Sequence, residues 1–232
     1  MATPSILFIT ADEMRADATG FGGNPDCRTP HLDTLAAGGV CFRRHFAVFP
    51  KCVPSRISML TGRYTHTGGQ RTVMGPDHLP KGSPNLVSHL RQNGGYETAV
   101  FGLNHVWDNE WFYDFGKADS VVDYHSFATP ELDAMAKQAR PYPVRNPNGP
   151  HPIPELQFIG EVGCVEGEKA GFFDENRTDN ALHYLRKLRD PAKPFYLQLN
   201  LSLPHPDYKI HEPYYSMYDR ESLTPYPLRF AA

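Results

Sequence analysis

Ile6-Leu7-Phe8-Ile9-Thr10-Ala11-Asp12-Glu13 is an apolar run followed at once by two acids. A strand-length run without polar alternation reads as a buried parallel strand rather than a half-exposed one. Ile6–Thr10 would then deliver Asp12 and Glu13 just past its C-terminal end, where open α/β sheets gather ligands. The same grammar repeats along the chain. Thr29-Pro30 caps a helix carrying Leu32, Leu35 and Ala36 on one face, with Gly38-Gly39 as its stop. Val40–Phe46 reads as a second extended segment. Ser83-Pro84 starts a helix with Leu86, Val87 and Leu90 inward and Gly94-Gly95 at its end. Thr98–Phe101 is a short strand that leads into Gly102–His105. Pro130–Arg140 reads as a helix, and Pro141–Pro154, with six prolines, as an irregular surface loop. Asp174–Leu188 is an amphipathic helix with Ala181, Leu182, Leu185 and Leu188 on one side. Phe195–Leu203 is a strand that runs into Pro204-His205-Pro206. Strands alternating with helices predict a three-layer α/β fold with a mostly parallel central sheet.

Composition narrows the class. The 232 residues suffice for one sizeable core or two small ones, and a net charge of −3 with mixed signs carries no nucleic-acid or membrane-surface footprint. No apolar stretch is long enough to span a membrane. The run after Met1 lacks a basic leader and a cleavage site, so the chain as written is expected to be cytoplasmic. Cys27, Cys41, Cys52 and Cys164 show no close-spaced metal pattern and no dense disulfide framework. All but Cys52 are expected to be reduced and structural.

The chemistry centres on Cys52-Val-Pro-Ser-Arg-Ile-Ser-Met-Leu-Thr-Gly-Arg63. Pro54 suits the first turn of a helix, Ser55–Thr61 reads as that helix, and Gly62 ends it. Cys52 then lies just before a helix N-terminus, where free N–H groups and the dipole favour an anion. Arg56, one turn in, can offer a bidentate fork to a sulfate or phosphate oxygen. Asp12 and Glu13 supply the hard oxygen ligands that Ca²⁺ or Mg²⁺ prefers.

The Cys52-x-Pro54-x-Arg56 core, closed by Leu60-Thr61-Gly62-Arg63, resembles the signature of the type I sulfatases, whose cysteine is oxidised to formylglycine. The resemblance implies an alkaline-phosphatase-like fold. It also implies metal ligation by Asp12, Glu13 and Cys52, with Ca²⁺ (or Mg²⁺) as the ion. Arg15-Ala16-Asp17 continues a stretch also familiar from the family. Gly95–His105 resembles the second signature, where the family carries Gly-Lys-x-His. This chain keeps His105 but has Leu103 in the lysine position, which removes one expected cation. His205, in Ser-Leu-Pro-His-Pro, matches the family's Pro-His. Cys52, Arg56, His105 and His205 are thus the implied catalytic residues. His31, His45, His66 and His211 read as structural or surface residues.

The implied reaction is hydrolysis of a sulfate ester, small-molecule or saccharide, to an alcohol and sulfate. One hydroxyl of the hydrated formylglycine attacks sulfur, His205 protonates the leaving oxygen, and the other hydroxyl, deprotonated by His105, drives release of sulfate. A formylglycine-generating enzyme is the implied maturation partner; no nucleic-acid or membrane partner is expected. Family members run considerably longer, so residues 1–232 are expected to form the N-terminal part of a sulfatase catalytic domain. Two further metal ligands and a small second domain would lie outside this stretch. On that ground weak metal binding and little turnover are expected of these 232 residues alone. Two alternatives stand beside this one: a phosphonate monoester or phosphodiester hydrolase of the same superfamily, and a catalytically inert sulfatase fragment.

Overall fold

The computed structural model describes residues 3–68, 79–80, 82–103, 106–107, 144–145, 163–165, 173–205 and 208–224. They fall into two compact units. The first comprises residues 1–12, 46–141 and 169–203; the second comprises 13–45, 142–168 and 204–232.

The first unit is built on a three-stranded parallel sheet of β1 (Ile6–Ala11), β2 (Glu97–Gly102) and the strand Phe195–Leu201 (β5 in chain order). β5 lies in the centre, with Thr10 and Gly102 both in register with Asn200. α2 (Cys52–Thr61), followed in the chain by the one-turn α3 (Thr65–Gly68), and α4 (Leu86–Gly94) cover one face. There Val53, Ile57, Leu60 and Val87 pack with Val100 and Tyr196, and with Ile6 and Phe8 at the margin. α5 (Phe173–His183), prolonged by a π-helical turn at Tyr184–Leu188, covers the other. Ala181 and Tyr184 close on Ala99, Phe101, Leu197 and Leu199. Residues alternate between faces along a strand, so the two clusters use alternate positions of β2 and β5. The expected α/β/α layering is present.

Details differ from the sequence expectation. β1 is not buried throughout: Leu7 is 55% exposed and Ile9 53%. They stand in register with Leu197 and Leu199, but α5 packs on β2 and β5 and stops short of β1. α2 begins at Cys52 itself, three residues earlier than expected, because a proline in the first helical turn sacrifices no intrahelical bond. Gly62 ends it in the left-handed region at φ 66°. α4 is capped by Asn85, not by Ser83: its side chain accepts from Ser88 N, and Ser88 Oγ accepts from Asn85 N. Val87 is fully buried there, whereas Leu86 faces out. β5 stops at Leu201, two residues early.

The second unit holds α1 (Pro30–Gly38) and a small sheet of β3 (Val144–Arg145), β4 (Gly163–Val165) and β6 (Lys209–His211). β3 pairs antiparallel with β4, and β6 parallel. β3 corrects the reading of Pro141–Pro154 as wholly irregular. α1 has the expected bounds but buries none of its residues, Leu32 and Leu35 included. The Thr29 hydroxyl does not cap it; it bonds Asp33 Oδ1 and accepts from Gly20 N, pinning the preceding loop. Val40–Phe46 forms no strand. Cys41 is exposed and Cys27 half-buried, so the former is no core residue. The helix expected over Pro130–Arg140 lies outside the described residues. Among those described, no helix is long and apolar enough to cross a membrane.

Gly102 closes β2 at φ 91°, and a Cβ there would stand 2.0 Å from Asn200 O. Gly62 shares the left-handed conformation but has open space around it. Gly62→Ala should therefore cost only the conformational penalty of about 1–2 kcal/mol. Gly102→Ala must also move backbone, and should cost at least about 3 kcal/mol by urea unfolding. Equal losses would contradict the packing at the β2 exit.

Candidate active site

Asp12 is the first residue past β1, and its N–H still donates to Leu201 O at 3.2 Å, which extends the parallel pairing by one step. That bond turns the side chain inward, where it is 7% exposed. Its Oδ2 lies 3.5 Å from Arg56 Nη2 and has no hydrogen-bond donor. Arg56 is 6% exposed and reaches the same rim from α2, with Nη1 3.4 Å from Thr10 Oγ1. Burial lowers the Arg56 pKa from the usual arginine range, while Asp12 and Cys52 pull it back up.

A chain of buried hydrogen bonds along β5 holds this rim. Tyr196 Oη donates to Gln198 Oε1 at 2.9 Å, and Gln198 Nε2 donates to Asn200 Oδ1 at 3.0 Å. Thr10 Oγ1 donates to that same oxygen at 2.8 Å and so presents its lone pairs to Arg56. Burial raises the Tyr196 hydroxyl above the ordinary tyrosine range, so it remains a donor. Sequence reasoning passed over Gln198 and Asn200. Their signal was two amides at alternate positions of an otherwise apolar strand, which alone reads as a solvent face.

Cys52 opens α2 as a half-buried free thiol, one helical turn from Arg56 and on the same side of the helix. The first-turn N–H groups of a helix have no intrahelical partners, so an oxyanion near Cys52 meets donors as well as the guanidinium. A second cluster lies at the β5 exit. Asp174, in the first turn of α5, accepts from Ser202 N at 2.8 Å and Leu203 N at 2.7 Å. Arg177 Nη1 donates to Asp174 Oδ1 at 2.7 Å and to Ser202 Oγ at 2.6 Å. Sequence reasoning saw here only an amphipathic helix.

In the second unit, Glu13 follows in the left-handed region at φ 57° with its side chain 54% exposed. Its Oε1 lies 3.6 Å from Nε2 of His205. Arg15 forms a bidentate exposed pair with Asp17 at 2.8 and 2.6 Å. The structure thus brings Asp12, Cys52 and Arg56 to one rim of the first unit and pairs Glu13 with His205 in the second. His105 lies outside the described residues. Among the described residues, no three or more His, Cys, Asp or Glu side chains converge on a point where they could hold an ion. One atom nonetheless fits a hard cation: the buried Oδ2 of Asp12, a carboxylate oxygen without a donor.

Comparison with known proteins identifies the family. A family model described as Sulfatase matches residues 4–225. An arylsulfatase of Clostridium perfringens is 27% identical over 97% of this chain and 48% of its own length. The multifunctional alkaline phosphatase superfamily protein PehA of Trinickia caryophylli is 30% identical over 99% of this chain and 47% of its own. A crystal structure of a phosphonate monoester hydrolase of Agrobacterium radiobacter superposes with TM-score 0.71 at 21% identity. It covers 97% of this chain and 45% of that one, and shows the alkaline-phosphatase-like fold. The chain spans about half the length of the curated relatives it matches. With the family model covering nearly every residue, the chain belongs to the sulfatase family.

Proposed function

We propose that the full-length protein hydrolyses sulfate esters to an alcohol and sulfate, with residues 1–232 forming the N-terminal part of its catalytic domain. The observation that carries the reading is the placement of Arg56 one helical turn from Cys52, with the unsatisfied Asp12 carboxylate 3.5 Å from its guanidinium. A buried ion pair is weak evidence for stability, since desolvation offsets most of the attraction. A guanidinium fork and a bare carboxylate oxygen beside a helix N-terminus make chemical sense if the first holds sulfate oxygens and the second a cation.

Cys52, oxidised to formylglycine by a formylglycine-generating enzyme, supplies a hydrated aldehyde whose hydroxyls provide the attacking oxygen and the later release of sulfate. Ca²⁺ or Mg²⁺ supplies Lewis-acid stabilisation of the charge that develops on the transferring group. Asp12 would hold it, with Glu13 and residue 52 as the further ligands assigned here. Arg56 holds and orients the sulfate oxygens, and its donors are preorganised by Thr10 and the β5 amides, so no reorganisation is needed as charge builds. His205 is assigned the proton for the leaving oxygen and His105 the proton removed from the remaining hydroxyl.

A phosphonate monoester or phosphodiester hydrolase is the second reading, supported by two observations: Leu103 stands where the sulfatase signature carries a lysine, and a relative of 30% identity is a multifunctional alkaline phosphatase superfamily protein. Hydrolysis of an aryl sulfate against an aryl phosphonate by the full-length protein, matured with a formylglycine-generating enzyme, tests both. Preferential sulfate turnover, lost in Cys52→Ala, is the expected outcome. Phosphonate preference would install the second reading, and inactivity on both would leave an inert family member.

The ion pair makes a separate prediction for unfolding. Arg56→Met strands a buried carboxylate and should cost about 3–5 kcal/mol. Adding Asp12→Asn should restore much of that loss. A double variant no more stable than Arg56→Met would contradict the pairing.

A further inference from the structure

Arg177 is a buried cation that the mechanism above leaves unused. It belongs to α5, on the face of the sheet opposite α2 and Arg56. Its stem nonetheless reaches the C-terminal rim, with Cδ 3.0 Å from the place where a Cβ on Gly102 would stand. The stem passes there because residue 102 has no side chain. Gly102 sits in one row with Asn200 and Thr10 across the three strands. Arg56 Nη1 reaches Thr10 at the other end of that row. Adjacent strands lie about 4.8 Å apart, so the row is roughly 10 Å wide, a span over which two guanidinium forks can face one tetrahedral oxyanion.

We propose that Arg177 is a second anion-binding residue of this site, supplying to a bound sulfate group the positive charge that Leu103, next to Gly102, does not. The inference rests on the sulfatase reading. Two facts support the assignment. Arg177 is 7% exposed, so its charge acts through protein rather than water. Asp174, its salt-bridge partner, also accepts two backbone N–H groups and spreads its charge over three donors. It therefore holds the Arg177 head in place and offsets only part of its field.

Calorimetric titration of inorganic sulfate into the full-length protein at low ionic strength is the test. Arg177→Met should weaken sulfate binding about tenfold or more, the loss of a charge-assisted hydrogen bond, and Arg177→Lys should recover part of it. Asp174→Asn should bind sulfate as tightly as wild type or tighter, because it removes a negative charge. A purely structural brace predicts the opposite. Asp174→Asn/Arg177→Met removes both buried charges together, which guards against an orphaned one, and should bind as weakly as Arg177→Met. Binding by Arg177→Met within twofold of wild type, or equal losses in Arg177→Met and Asp174→Asn, overturns the inference and leaves the sulfatase reading intact. A wild type that binds no sulfate overturns both.

Discussion

The contact between Asp12 and Arg56, 3.5 Å apart at the end of β1, is the constraint on which the rest of the site depends. Both groups are out of water, where an ion pair returns little net stability. The pair is held less tightly than a pure stabilising bridge would be, since Oδ2 accepts no hydrogen bond and Arg56 Nη1 leans on Thr10 instead. Such an arrangement keeps both charges available. A carboxylate oxygen without a donor can accept a cation, and a fork with spare N–H groups can accept an anion.

Everything that positions this pair follows from a parallel sheet with its C-terminal ends together. β5, in the centre, carries Tyr196, Gln198 and Asn200 on the side of α2 and Leu197 and Leu199 on the side of α5. The apolar side anchors the helix layer and the polar side becomes an internal hydrogen-bond chain ending at Thr10. Gly102 completes the rim, because any larger residue would collide with Asn200 O and with the Arg177 stem. One row of three residues thus receives side chains from both helical layers.

Much of this was legible in the residues. The apolar run before Asp12, the Cys52–Arg63 segment and the glycine stops at Gly62 and Gly95 set β1, α2 and the C-terminal ends of α2 and α4 by local rules. What escaped depended on tertiary neighbours. The exposure of Leu7 and Ile9 reflects where α5 ends. Gln198 and Asn200 are buried because they bond one another and Thr10, whereas their alternation alone suggests a wet face. The Asp174–Arg177 cluster looked like an ordinary polar helix surface, since nothing local reveals that Ser202 and Leu203 lie beneath it. Asn85 outcompeted Ser83 as a cap because its amide and Ser88 satisfy each other. Glu13 takes the left-handed region at φ 57° with its side chain 54% exposed, a conformation that its place beside Asp12 in the chain does not reveal.

The most direct measurement is the mass of the tryptic peptide Cys52–Arg56 from protein made alongside a formylglycine-generating enzyme. If Cys52 is the source of the nucleophile, the peptide carries an aldehyde in place of the thiol. An unmodified thiol, with a control sulfatase converted in the same cells, would contradict the assignment of Cys52 and leave the Asp12–Arg56 pair without a reaction to serve.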